Sequence, residues 1–253
     1  MDITRIKKNL KTAWLGKTIH FESSIDSTNA WGLRGIDAGS KRGEVFLADY
    51  QTKGRGRQNR VWESSAGKNI LMTLIDNAPA DPAKVFQLTL VAGVAFQEAL
   101  SSLFPSLPIR LKWPNDLLLK GKKLAGILCE KHPSKPMAVV GVGINANAAK
   151  EDFTAETAGI AASLALELGG AVEQEQIAAS CLNSYEKWRE KYDQSGLAPA
   201  SEAWLKKTDM MGKKVRVVDG GKTFEGTAQS LDEDGFLVVD GKKIISGDIV
   251  LCF

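Results

Sequence analysis

Four short segments carry residues that could do chemistry. The first runs from Gln51 to Trp62 and reads Gln-Thr-Lys-Gly-Arg-Gly-Arg-Gln-Asn-Arg-Val-Trp. Glycines let a backbone approach a ligand and turn its N–H groups toward an anion. Arginines add planar, permanently charged forks that suit phosphate or carboxylate, and Trp62 could stack on a base. Such a loop could wrap a nucleotide phosphate. On composition alone, a solvated basic loop or a short RNA-binding Gly-Arg segment is the plainer reading.

The second segment, Lys112-Trp113-Pro114-Asn115-Asp116, puts a base, an aromatic ring, an amide and a carboxylate into five residues. Pro114 fixes a bend. The Asn-Asp pair beyond it could meet a ribose, a metal or an attacking amine, or could simply form an Asx-type turn. In the third, Lys122-Lys123-Leu124-Ala125-Gly126, a lysine at the mouth of an apolar strand is a point charge for phosphate or carboxylate, although most such lysines are only solvated. The fourth, Ser27-Thr28-Asn29, offers three small hydrogen-bonding side chains, which read a polar head group or cap a helix.

Other familiar sites fail on inspection. Gly16-Lys17-Thr18 and Gly221-Lys222-Thr223 look like the end of a P-loop, but its first glycine would fall on Lys11 and Arg216. Gly141-Val142-Gly143-Ile144-Asn145-Ala146 matches the dinucleotide fingerprint loosely and no clear helix follows, so it reads as a buried strand of small residues. There is no Gly-x-Ser-x-Gly elbow and no His-Glu-x-x-His.

The elements that must position these segments follow from periodicity. Residues 3–14 carry Ile3, Ile6, Leu10 and Trp14 at helical spacing. Residues 18–21, 44–50, 69–75, 109–113 and 138–144 read as strands. Residues 117–119 and 124–129 flank Lys120-Gly121-Lys122-Lys123 as a hairpin. Helices are expected over 27–36, with Asp26 or Ser27 as N-cap, over 82–104, over 156–168 and over 173–192. From Lys213 onward, short alternating strands are broken by Asp219-Gly220-Gly221, Asp232-Glu233-Asp234-Gly235 and Asp240-Gly241, which predicts a small β-barrel. The domain organisation expected is therefore 1–209 and 210–253.

Bulk properties narrow the function classes. With 33 basic and 30 acidic residues, the net charge of +3 is too balanced to argue for nucleic-acid binding. Cys129, Cys181 and Cys252 are scattered, and His20 and His132 are the only histidines, so neither a disulfide framework nor a zinc site is suggested. No apolar signal core follows Met1 and no run of about 18 apolar residues is present, so a cytoplasmic protein without a membrane span is expected.

Taken one by one the four segments are weak signals, but their order and spacing are specific. Ser27-Thr28-Asn29, then Gly54 to Arg60, then Lys112 to Asp116, then Lys123 to Gly126, then Gly143-Ile144-Asn145, resembles the biotin–protein ligase family from about residue 20 to the C-terminus. In the Gly-Arg loop, Gln58-Asn59 stands where an Arg-Gly or similar pair is commoner. The resemblance implies an α+β fold: a mixed, largely antiparallel sheet with packed helices, like the class II synthetases, plus a C-terminal SH3-like barrel. It implies an ATP-dependent, AMP-forming biotin–[acetyl-CoA-carboxylase] ligase. Biotin would be activated as biotinyl-5′-AMP, with Mg2+ accompanying ATP, and passed to a lysine of the biotin carboxyl carrier protein.

By the same resemblance, Ser27, Thr28, Asn29 and Gln51 bind biotin, and Gly54, Arg55 and Gly56 cover the bound acid. Arg57 and Lys123 hold its carboxylate and the α-phosphate. Arg60 reaches the pyrophosphate, Trp62 packs near the adenine, and Asn115 contacts the nucleotide. Asp116 orients or deprotonates the incoming lysine. The metal ligands are not legible. A homodimer through an edge strand of the main sheet is left open. Many relatives carry an N-terminal helix-turn-helix domain; the stretch before Ser27 is too short for one, so DNA binding is not expected. Two alternatives stand beside this reading: a lipoate or octanoate–protein ligase, and a nucleic-acid-binding module built on the Gly-Arg loop.

Overall fold

The structure is a computed structural model and describes residues 1–219 and 221–251. Its main sheet is built from β1 (Ile19–Glu22), β2 (Val45–Ala48), β3 (Ile70–Asn77), β4 (Ile109–Lys112), β5 (Asp116–Leu119), β6 (Lys122–Lys131) and β7 (Met137–Ile144). The strand order is β1-β2-β3-β7-β6-β5-β4, and only β1–β2 is parallel. The fold is therefore the mixed, largely antiparallel α+β arrangement expected.

Alternation along the strands decides which face does what. Ala138, Val140, Val142 and Ile144 of β7 join one large core with α3 (Val85–Leu103) and α5 (Gln174–Ser195). Met137 and Val139 point the other way, where a smaller cluster holds Ile36, Phe46 and Ile75 beneath α2 (Thr28–Asp37). The next two residues on that second face are Gly141 and Gly143. Near the start of α2, β7 therefore contributes no side chains to this face, and that stretch of the sheet is where the site forms. Residues 82–103 are long enough for a membrane span and contain an 18-residue stretch of mean hydropathy 1.2, but 78% of that stretch is buried inside the protein.

The hairpin turn between β5 and β6 holds Lys120 at φ 50° and Gly121 at φ 78°. That is the mirror-image turn whose twist suits two-residue hairpins. It leads directly into Lys122 and Lys123, the first residues of β6. At the far end of the sheet, Asp76 is fully buried. It accepts from Arg42 at 2.9 Å, Arg189 at 2.8 Å and Tyr185 at 2.7 Å, so the charge is paired and hydrogen-bonded where it is buried.

Two helices differ from expectation. Residues 3–14 form only α1 (Ile3–Asn9). At its end Asn183 accepts from Lys11 N at 2.7 Å and donates to Asn9 O at 3.0 Å, and the Glu186 carboxylate then captures the N–H groups of Ala13, Trp14 and Leu15, which pins the stretch in an irregular path. Residues 156–168 are helical only over α4 (Leu164–Leu168). The preceding stretch spends its backbone on the sheet: Lys123 donates to Ile160 O at 2.7 Å and Ala162 donates to Lys123 O at 2.9 Å. Ser163 then restarts the helix as its N-cap. A further helix, α6 (Ala198–Lys206), follows α5 and has no counterpart in the periodicity reading.

The C-terminal region is a five-stranded antiparallel sheet of β8 (Lys214–Asp219), β9 (Lys222–Leu231), β10 (Leu237–Val239), β11 (Lys242–Ile244) and β12 (Asp248–Leu251). Gly220 of the expected Asp219-Gly220-Gly221 turn, and Cys252, lie outside the described residues. The second sheet docks on the first body. Trp113 Nε1 donates to Gly235 O at 3.1 Å. Phe86 stacks on Phe236 with ring centroids 5.1 Å apart.

Candidate active site

Two adjoining chambers open here, the first of them on Gly126, Gly141 and Gly143. The first, about 380 Å³, is walled by Ser27, Thr28 and Asn29 at the start of α2, by Gln51, by Arg55 to Arg57, and by Asn115. The second, about 560 Å³, reaches away past Asn69, Asn145, Phe153 and Ile160. Both sizes are typical of small-molecule sites. The chambers share one wall: Arg60, Val61, Trp62, Lys112, Asp116 and Lys123 line both. Of the expected site residues, Gly54 alone lies outside both chambers; it faces the outer side of its loop.

The far end of the first chamber is a hydrogen-bonded lattice. Gln51 Oε1 accepts from Thr28 N at 2.7 Å and Thr28 Oγ1 at 3.0 Å. Thr73, from β3, donates to Asn29 Oδ1 at 2.7 Å, and its hydroxyl lies 2.8 Å from that of Thr28. Asn29 Nδ2 donates to Leu128 O at 3.0 Å and Glu130 Oε2 at 2.7 Å. Every polar atom of the Asn29 side chain is thus engaged, so it ties α2 to the sheet. Ser27 occupies the N-cap position without a capping bond from its side chain, which leaves its hydroxyl available to a ligand. Asp26 accepts from Ser27 N and pairs with Arg34, which holds its carboxyl down at about 2.

The Gly-Arg loop is a tight hairpin. Trp62 N donates to Gly54 O at 3.0 Å and Gly56 N to Arg60 O at 2.7 Å. At its tip, Gln58 and Asn59 sit at φ 53° and 59°, a left-handed conformation that glycine adopts at least cost. This is where the chain departs from the commoner Arg-Gly pair. Two ion pairs tether the loop: Arg55 to Glu130 at 2.8 Å, and Arg60 to Asp248 of β12. Trp62 then returns across the floor. A β-carbon on Gly143 would lie 2.4 Å from its indole, and one on Gly126 would lie 3.0 Å away. These two glycines are cross-strand partners, and their missing side chains make the slot in which the ring lies.

Cations gather at the shared wall and, with Arg57, beside it in the first chamber. Lys123 Nζ is 2.8 Å from Asp116 Oδ1 and 5.7 Å from the Trp62 ring. Burial disfavours the charge of Lys112 and pushes its pKa down. Burial does the same to Arg57, against the pull of Asp248 and Asp116. Among the described residues the Arg57 side chain makes one hydrogen bond, to Asn115 Oδ1 at 3.3 Å. Asn115 is itself fixed on β6, with its Nδ2 donating to Ile127 O at 2.9 Å. Partly desolvated cations with so few partners favour an anionic ligand.

The structure also brings in residues to which sequence reasoning assigned no role. Lys112 was visible in its motif. Glu130 and Thr73 serve as anchors for the motif residues, and alternation on β3 and β6 places both on the site face. Asp248 comes from the other sheet, and no local signal marks it.

The chain is similar to known proteins. Residues 23–147 match the biotin/lipoate A/B protein ligase family, and residues 211–251 match the biotin protein ligase C terminal domain. The bifunctional ligase/repressor BirA of Bacillus spizizenii is 32% identical over 98% of this chain and 78% of its own length. A biotin–[acetyl-CoA-carboxylase] ligase of Paracoccus denitrificans is 33% identical over 85% of this chain and 91% of its own length. Among solved structures, the biotin protein ligase of Aquifex aeolicus in complex with biotin and ATP superposes with a TM-score of 0.80 at 27% identity, covering 93% of this chain and 99% of that one.

Proposed function

The chain belongs to the biotin protein ligase family, and from that premise we propose that it activates biotin as biotinyl-5′-AMP and transfers it to a lysine of a biotin carboxyl carrier protein. The observation that carries this reading is the pair of chambers with a common cationic wall. The reaction must bring two anions together, a carboxylate and an α-phosphate, so neutralisation and positioning supply most of the catalysis.

Biotin takes the first chamber, with its ureido ring toward Ser27, Thr28 and Gln51 and its carboxylate at the shared wall. The nucleoside takes the second chamber, which brings the α-phosphate to the same wall. A carboxylate oxygen attacks the α-phosphorus, the bond to the β-phosphate oxygen breaks, and pyrophosphate leaves. Arg57, Lys112 and Lys123 neutralise the charge gathered there. The lysine amine of the carrier then attacks the biotinyl carbonyl, AMP leaves with the bonding pair, and the amine gives up a proton. Asp116 is engaged by Lys123; it can take that proton once Lys123 has turned to the phosphate. Arg60 reaches the leaving pyrophosphate by exchanging Asp248 for it. The Gly-Arg loop closes over the adenylate and keeps water from the mixed anhydride.

Magnesium would arrive on the triphosphate and offset its negative charge. Among the described residues no three His, Cys, Asp or Glu side chains gather as a metal site. A single carboxylate at the wall, Asp116, suits an ion held mainly by phosphate and water.

Biotin-dependent exchange of pyrophosphate into ATP tests the first half-reaction, and running it with lipoate or octanoate in place of biotin identifies the acid. Exchange with lipoate but not biotin overturns the assignment. The cytoplasm, where carrier and ATP meet, is the compartment this reading implies.

A further inference from the structure

Glu130, on β6, joins two walls of the first chamber through one oxygen. Its Oε2 accepts from Asn29 Nδ2 at 2.7 Å and from Arg55 Nη2 at 2.8 Å. Asn29 stands at the start of α2, and Arg55 stands in the Gly-Arg loop; both line the chamber. Their chemistry requires an acceptor at this point. Asn29 Nδ2 also donates to Leu128 O at 3.0 Å, and a carbonyl only accepts, so the amide nitrogen is fixed on that side. A guanidinium only donates. An ionised carboxylate meets both donors at once, and its bond to Arg55 is charge-assisted.

The same contacts complete a ring. Gln51, in the stem of the loop, accepts from Thr28 Oγ1 at 3.0 Å, and Thr28 meets the Thr73 hydroxyl at 2.8 Å. Thr73 donates to Asn29 at 2.7 Å, and Asn29 leads through Glu130 to Arg55 in the roof. The stem is held separately, with Thr52 N donating to Ile25 O and Lys53 N to Asp26 O, each at 2.8 Å. The roof is held by the ion pairs of Arg55 with Glu130 and Arg60 with Asp248. Of these two, the pair through Glu130 runs back to the polar end of the chamber.

We propose that Glu130 is a positioning residue: through Asn29 and Arg55 its carboxylate makes closure of the loop depend on the polar end of the first chamber, so that an acid seated there holds its own roof. The proposal rests on the reading that this chamber takes biotin. Contacts in series amount to coupling only when removing one link changes the response at the other end.

Biotin-dependent pyrophosphate exchange would be measured over a range of biotin and of ATP, together with the rate of tryptic cleavage after Arg57 with and without biotin. The variants are Glu130→Met, which removes the acceptor, Glu130→Gln, which keeps an acceptor oxygen, Arg55→Met, and the double variant with Met at both positions. With biotin at about ten times each protein's own KM, cleavage of the wild type should slow about tenfold. In Glu130→Met that protection should shrink to about twofold, with the KM for biotin raised about 5- to 30-fold and the KM for ATP within about twofold. Glu130→Gln should recover most of the protection, and the double variant should be no worse than Glu130→Met alone. A residue that only supports the fold would lower Tm and raise both KM values together while leaving the protection by biotin intact. Full protection in Glu130→Met overturns the proposal, as do losses that multiply in the double variant. Absence of biotin-dependent exchange in the wild type would instead overturn the underlying reading of the chamber.

Discussion

Gly141→Ala should destabilise the protein through one side chain on another element. A β-carbon at position 141 would stand 1.9 Å from Asn29 Oδ1 and 2.7 Å from its Cγ. Asn29 has nowhere to retreat, since it is 4% exposed and held by Thr73, Leu128 O and Glu130. Displacing its amide breaks three hydrogen bonds, each contributing about 1 kcal/mol. Replacing a strand glycine returns about 0.5–1 kcal/mol of backbone entropy. The net cost is then about 2–2.5 kcal/mol, or a fall in Tm of about 4–10 °C for a chain of this size. Urea denaturation gives the first figure and calorimetry the second. The decisive control is the double variant: in an Asn29→Ala background the clash is gone, so Gly141→Ala should cost about 0.5 kcal/mol or less. A loss under about 1 kcal/mol in the single variant, or the same loss in both backgrounds, would refute the argument.

Arg57→Ala and Lys123→Ala should each slow biotin-dependent pyrophosphate exchange by about 10²- to 10³-fold with Tm little changed; an unaltered rate in both would sink the roles proposed for the shared wall. Asp26 has its folded pKa depressed to about 2 by the Arg34 guanidinium. Its ion pair therefore adds stability above about pH 4 and loses it as pH falls through about 2. The Tm difference between wild type and Arg34→Met should be full at neutral pH and close over that acid window, and a difference that widens toward pH 2 would contradict the sign. Burial pushes the Cys181 thiol up to about 12, so iodoacetamide at pH 8 should label it only after unfolding, as peptide mapping would show.

Much of the scaffold could be read locally. The strands follow from alternation, and the turn at Lys120-Gly121 follows from the glycine between two apolar runs. The motif residues do converge: Ser27, Thr28, Gln51, Arg57, Asn115, Asp116 and Lys123 meet around one chamber. What stayed hidden depends on contacts far apart in the chain. Helical periodicity over residues 156–168 was misleading because Lys123 recruits the backbone at Ile160 and Ala162. Asn183 and Glu186 hold the chain after α1 from more than 170 positions away, which no local pattern announces. Gly143 looked like part of a small-residue strand; its purpose is visible only once Trp62 is seen lying across it.

The way the second sheet is attached governs how the molecule comes apart. Trp113 is 1% exposed, and it sits between the strand that leads to Asp116 and the carbonyl of Gly235. Phe86 is stacked on Phe236, and the loop that roofs the first chamber is tied to Asp248. A chain cut at residue 209 would uncover those rings and free the roof in one stroke. Melting should accordingly be a single cooperative transition with calorimetric and van't Hoff enthalpies in agreement, because neither sheet has a complete core or a complete site without the other.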